Sequence, residues 1–407
     1  MKKVFVIFLI TLTSIPSISN AASVKTLKTI IELPYVNNDQ VSDIALSGKN
    51  IFLVGTTESS NSTWLSGSLS GLSDGFLISY TATGLQNWSV RLGNEGNEIA
   101  TSIAVDIDGS IWVLGASNTV VQPSPISNPA GLLNPDNVPI TPPSVSNSPI
   151  NKVKLWQVSG SGVLINSFEY LTTEVILPKK ILNSGGNLQI LGNAYSGLSS
   201  KGFFFSVSKT GVFSNMVIIG NKSTQINSAI TNNDQSLTII GSSGEKLLKS
   251  KPIGKIDAIT AKISNSGVIQ QVARATLKGS SRAWSSIDPG LLQGGKVNYS
   301  TKSEAAITKF SALNKPVWNV RYSSKSAALV AIGKNSWATF VSTGAIKGVS
   351  NWKPKTPTPV ILEFGKKAEV ISAYKIDSPA VVIDSNADIG TVLVCDSGKS
   401  FGLVVIT

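Results

Sequence analysis

The chain has 407 residues, with 35 Lys and Arg against 23 Asp and Glu, no His and one Cys. These counts exclude Ser-His and Cys-His nucleophile pairs, histidine metal sites, thiolate zinc or iron–sulfur centres and any intrachain disulfide. A net charge of +12 attracts anionic polymers such as cell-wall polymer, acidic polysaccharide, lipid headgroups or nucleic acid, or serves solubility alone.

The N-terminal element is a leader. Lys2 and Lys3 precede an apolar run from Val4 to Leu12, and Ser19-Asn20-Ala21 supplies small residues before Ala22. That layout predicts a signal peptide over residues 1–21, because the apolar run is too short to span a bilayer. No second long apolar run follows. The expected mature protein, residues 22–407, is one soluble domain, secreted or at a bacterial cell surface, and is read as a monomer.

Few charges, abundant Ser, Thr, Asn and Gly, and apolar residues dominated by β-branched types favour strands throughout. An orphan strand is predicted at 26–33, ending at Pro34. A short apolar strand ending in Gly then recurs at 51–55, 111–115, 188–192 and 237–241, each after a tight polar turn. A second hairpin follows each copy, with turns at 83–85, 161–163, 210–212 and 266–268. Two hairpins per unit make a four-stranded antiparallel sheet, and such sheets around a ring make a β-propeller.

Later units are placed at 295–315, 335–367 and 388–407, where the terminal Gly is read as lost. The fold class is therefore all-β: a single propeller of about seven four-stranded blades. Its last unit stops at Phe401–Thr407, a third strand without a fourth. Pairing it with the strand at 26–33 completes that blade and removes an open edge.

Asp74-Gly75-Phe76, Gly84, Trp88, Leu92-Gly93, Glu98, Ile103 to Asp106, Gly109 and Trp112 to Gly115 carry a resemblance. Over residues 74–115 the chain resembles the bacterial β-propeller repeat often called the SBBP type. The resemblance implies a propeller scaffold on exported or cell-surface proteins, and it implies no catalytic residues.

Several motifs are read as structural. Asp106-Ile107-Asp108-Gly109 is a turn rather than a calcium loop, since the further oxygen ligands and closing Glu are missing. Ser206-x-x-Lys209 ends a strand, whereas an acyl-enzyme places that motif on a helix. Thr83-Gly84 with Trp88 is similar to the turn of quinoprotein propellers but occurs clearly once, so Trp88 is assigned to packing between blades. Cys395 lies in an apolar stretch and reads as a buried thiol. No cofactor and no metal is expected.

Loop length carries the functional signal. The turn between the second and third strands reads as long at 56–74, 117–151, 194–200, 242–255 and 343–358, which gathers insertions on one face. The insertion 120–149 is rich in Pro, Ser and Asn and reads as an extended or mobile flap. Two of these loops are basic, one with Lys246, Lys249, Lys251 and Lys255, the other with Lys347, Lys353 and Lys355. With Trp64, Tyr195 and Trp352 taken as exposed rings, this face is the candidate platform for an acidic glycan or a protein, with nucleic acid placed behind both.

The runner-up is a histidine-free carbohydrate-active enzyme, a glycoside hydrolase or polysaccharide lyase, at the channel mouth. Glu58, Asp74, Glu98 and Glu245 are its candidate carboxylates.

Overall fold

Ile51 and Leu53 point to one side of their strand, Phe52 and Val54 to the other, and all four are buried. A strand that is apolar on both faces needs a packed surface on each. The chain provides these by setting every sheet between two others. The computed structural model describes residues 21–36, 38–94, 96–118 and 149–407. Residues 1–20 of the signal peptide expected over 1–21, and nearly all of the insertion 120–149, lie outside the described residues.

The described residues form seven sheets and no helix. Blade 1 spans residues 40–92, blade 2 98–171, blade 3 175–219, blade 4 224–275, blade 5 281–323, blade 6 329–375 and blade 7 380–406. Each runs outward in chain order, with antiparallel neighbours and its first strand innermost. The core is accordingly seven clusters, one at each blade-to-blade interface. Phe52 and Leu77 of blade 1 meet Trp156 of blade 2, for example, and Trp284 of blade 5 meets Ile240 of blade 4.

The recurrent glycine has a steric cause. In blade 2 the inner strand carries a bulge at Thr101, between Ala100, paired with Gly115, and Ser102, paired with Leu114. The bulge drives the inner strand toward its neighbour, so a Cβ on Gly115 would lie 2.0 Å from the Ile99 carbonyl oxygen. Gly55 and Gly241 face the same conflict, each at 1.9 Å. The expectation that later units lose this glycine is corrected in blade 5, where Gly295 pairs with Trp284 beside a bulge at Ser285. In blade 7 the position is held by Cys395, which pairs with Ala380 beside a bulge at Val381. Burial pushes its thiol up to about 12, so it is inert packing.

The units placed at 295–315, 335–367 and 388–407 cover mainly the middle strands of blades 5, 6 and 7. Their inner strands, Ser281–Asp288, Leu329–Ile332 and Ala380–Asn386, begin earlier.

The ring closes through the N-terminal segment, which splits into two pieces. Ile31–Pro34 pairs antiparallel with blade 7, Ile31 opposite Leu403 and Pro34 opposite Ser400, and completes that blade. Val24–Thr26 pairs parallel with blade 6 as a fifth strand. The single strand predicted at 26–33 is thus a clasp on one blade and a staple on the next. Leu33, Phe401, Phe76 and Ile51 share one cluster, so the interface between blades 7 and 1 is packed like the others.

Candidate functional site

Two regions gather exposed chemistry: the central channel and the long-loop face around one of its mouths. Inner strands of all seven blades line the channel, which holds a central cavity of about 300 Å³. Toward the long loops it opens into a space of about 470 Å³ lined by Asn38, Glu58, Thr101, Lys179 and Asn227. The other mouth, about 640 Å³, lies among the short turns near Ser47, Ile107 and Asn183.

In blades 1, 2, 3 and 5 the residue after the bulge zips neighbouring blades. Asp43 Oδ2 accepts from the Ser102 hydroxyl at 2.6 Å and from the Ile103 amide at 3.3 Å. Ser102 accepts from the Ile181 amide, and Ser286 from the Val330 amide. Asp43 also forms an ion pair with Lys180 at 2.8 Å. Deeper in, burial raises the Asp384 carboxyl to about 6, with Asp43 and Asp288 pushing the same way and Lys180 opposing. Burial likewise raises Asp288. Burial depresses the ammonium of Lys179, which has no hydrogen-bond or ion-pair partner among the described residues.

On the long-loop face the lysines and the tryptophans part company. Lys246, Lys249, Lys251, Lys255, Lys347, Lys353 and Lys355 are exposed, and none forms an ion pair among the described residues. Trp64 and Trp352 are core residues, which corrects their expected exposure. Trp64 donates its indole N–H to the Pro34 carbonyl at 2.7 Å and packs edge-on against Phe76 and Phe401. Trp352 donates to Ser342 Oγ at 3.0 Å inside the core between blades 5 and 6. The reason is the hydrophobic effect: a large ring in a long loop folds back over the blade edge, leaving water. Tyr195 is half-buried and belongs to the strand Asn187–Ser196, so the turn expected as long at 194–200 is only Gly197 and Leu198.

Acidic groups on this face are turned inward. Asp74 and Arg91 form a fully buried pair at 3.7 Å, and Arg91 reaches the carbonyls of Ser59 and Gly67 in its own long loop. Blade 4 repeats the device. Asp257 lies 3.8 Å from Arg274, accepts the amides of Ile253 and Gly254, and Arg274 donates to the Ser243 carbonyl and Ser250 Oγ.

Glu245 accepts three backbone amides, from Asn221, Lys222 and Ser223, and the Thr224 hydroxyl. Burial works against that carboxylate, but the Thr224 hydroxyl and the amides hold it below its usual range. Glu98 is buried, with its carboxyl raised by burial. Of the four carboxylates considered for catalysis, Glu58 alone lines the mouth. Sequence reasoning missed the channel groups Lys179, Lys180, Asp43 and Asp384. Lys179 is itself a bulge residue and Asp43 and Lys180 each follow one directly, so the bulge upstream of the recurrent glycine is the signal for these three.

The motifs read as structural occupy structural positions. Asp106 and Asp108 order the turn by accepting from Ile107 and Ser110, and Asp106 pairs with Lys209. Trp88 donates to the Gly160 carbonyl and covers Gly162, whose φ is 86°. Among the described residues, no group of three or more His, Cys, Asp or Glu is arranged to hold a metal ion, and no helix is long and apolar enough to cross a membrane.

No protein-family model matches the chain, and no curated protein matches it in sequence. Among solved structures it is similar to the Dos1 propeller, at 10% identity and a TM-score of 0.50 over 93% of this chain and 95% of that one. It also overlaps the polysaccharide lyase Uly1, at 11% identity and a TM-score of 0.48 over 95% of this chain and 96% of that one. The WD40 domain of coronin from Toxoplasma gondii matches at 11% identity and a TM-score of 0.46, over 95% and 88%. At these identities the likeness is one of fold alone.

Proposed function

We propose that this chain is an exported, non-enzymatic binding propeller that holds an acidic glycan against its long-loop face. One observation carries the reading. Seven lysines on the loops of blades 4 and 6 project without carboxylate partners, while Asp74 and Asp257 on the same face are buried against Arg91 and Arg274 and Glu245 is turned onto backbone amides. The fully exposed charge of these two loops is therefore one-signed. It attracts a polyanion with a strength that falls as salt screens it. With Trp64 and Trp352 in the core, recognition rests on charge rather than on ring stacking.

The enzymatic reading loses its acid pair, because Asp74 and Glu98 are sealed in the core and Glu245 is committed through Oε1 to three amides and a hydroxyl. Replacing Lys246, Lys249, Lys353 and Lys355 together with Glu is expected to abolish retention on alginate and on isolated envelope material. Wild-type retention is expected to fall between about 50 and 300 mM salt. Retention that survives the substitutions and ignores salt would overturn the reading.

A further inference from the structure

The bulges set a level in the channel. In each of blades 1 to 5 the inserted residue stands beside the pairing partner of the recurrent glycine, so Ser42, Thr101, Lys179, Asn227 and Ser285 occupy equivalent heights. All five line the central cavity. Four are hydroxyl or amide side chains and the fifth is a cation.

That cation is uncompensated. Lys180, next in sequence, is taken by Asp43, whereas Lys179 has no partner among the described residues. Ser42, Ser285 and Ser228 likewise make no side-chain hydrogen bond, and Asn227 uses its amide N–H on the Trp284 carbonyl, leaving its oxygen open. On the same wall Asp384 accepts only the Ser385 amide, on one oxygen. A partly desolvated ammonium without an ion-pair partner, surrounded by unused donors and acceptors, is the unfinished half of a ligand site.

The balance of charges selects the ligand. Asp43, Asp288 and Asp384 share the cavity and would repel a compact inorganic dianion. A molecule with one carboxylate and several hydroxyls suits both ends, since the carboxylate meets Lys179 while Asp384 and the serines accept from the hydroxyls. A volume of about 300 Å³ is the size of a monosaccharide rather than of a polymer segment. We propose that the channel centre binds a monosaccharide-sized sugar acid, its carboxylate on Lys179 and its hydroxyls among Ser42, Ser285 and Asp384. The site is separate from the lysines of the outer loops and does not rest on their role.

The probe is D-galacturonate, titrated calorimetrically into the folded protein beside D-galactose and inorganic phosphate. Saturable galacturonate binding is expected, with galactose weaker by about ten- to a hundredfold, the effect of one charge-assisted hydrogen bond. Lys179→Met is expected to weaken galacturonate by the same factor and Lys179→Arg to restore most of it. Because Lys179 has no partner to lose, Lys179→Met should melt no lower than wild type without ligand. The quadruple loop variant should bind galacturonate normally, which separates this site from the loop reading. Absent galacturonate binding, equal affinity in Lys179→Met, phosphate binding as tightly as the sugar acid, or a lowered melt for Lys179→Met would each overturn the proposal.

Discussion

Lys180 Nζ of blade 3 lies 2.8 Å from Asp43 Oδ2 of blade 1, so one ion pair spans the inner strand of blade 2 between them. Both side chains are partly buried, and Asp43 also holds the Ser102 hydroxyl and the Ile103 amide. Removing the acid strands four donors, the Ile44 amide on Oδ1 being the fourth, whereas removing the base strands one acceptor, Oδ2, that keeps two bonds. Asp43→Ala is expected to cost about 3–4 kcal/mol and Lys180→Met about 1–2 kcal/mol, measured by urea denaturation. A larger loss from the lysine variant would show that the pair is not arranged this way.

Asp384 gives the stability a pH dependence of defined sign. Its folded carboxyl is raised from 3.8 to about 6 by burial. The folded state therefore holds the proton more tightly than the unfolded one. Stability is fully present below about pH 4 and is lost as pH rises through 6, at most about 3 kcal/mol at 1.36 per pK unit. Asp384→Asn should raise the melting temperature at pH 7.5 and leave it nearly unchanged at pH 4. An equal shift at both values counts against the assignment.

Arg274 holds the basic loop of blade 4 through the Ser243 carbonyl and Ser250 Oγ. Without it Asp257, fully buried, loses its counter-charge. Arg274→Met is expected to lower stability by about 3 kcal/mol and to speed tryptic cleavage at Lys246 and Lys249. Cleavage at the wild-type rate would mean that the loop is anchored by other groups.

Gly115→Ala should prevent folding or cost several kcal/mol, since its Cβ would meet the Ile99 carbonyl at 2.0 Å and Trp156 at 2.5 Å. Gly48→Ala is the control. Its Cβ meets nothing within 4 Å, and its φ of 53° costs about 1 kcal/mol. Similar midpoints for the two variants in chemical denaturation would contradict the bulge explanation.

The two pieces of the N-terminal segment should separate in deletion. Removing the residues before Thr29 takes away the fifth strand of blade 6, with Ala22 and Leu27 at the edges of two core clusters, and leaves blade 7 four-stranded. Removing those up to Pro34 also opens blade 7 and strips Leu33 and the Trp64 acceptor from the core. The shorter deletion is expected to lower the melting temperature by a few degrees, and the longer one to yield insoluble or unfolded chain. Equal melts would show that the ring closes without the clasp.

Much of this architecture is readable from local pattern. The strands around Ile51–Gly55 and Ile111–Gly115 are apolar on both faces, the turns carry Gly at Gly84 and Gly162, and the final strand lacks a partner until Ile31–Pro34 supplies it. These features live within a few residues, where side-chain volume and backbone freedom dominate. That is why four-stranded blades, about seven of them, and closure through the N-terminal segment follow from the amino-acid order alone, along with the exposure of the loop lysines.

Direction across the ring does not follow from it. Whether Trp64 faces solvent or seals the clasp depends on Pro34, Phe76 and Phe401, which three separate elements bring together. The pairing of Asp43 with Lys180 and the isolation of Lys179 likewise depend on neighbours that only the closed toroid sets side by side. Burial and electrostatics act through space, and a lysine's meaning is fixed by which charges the fold leaves beside it.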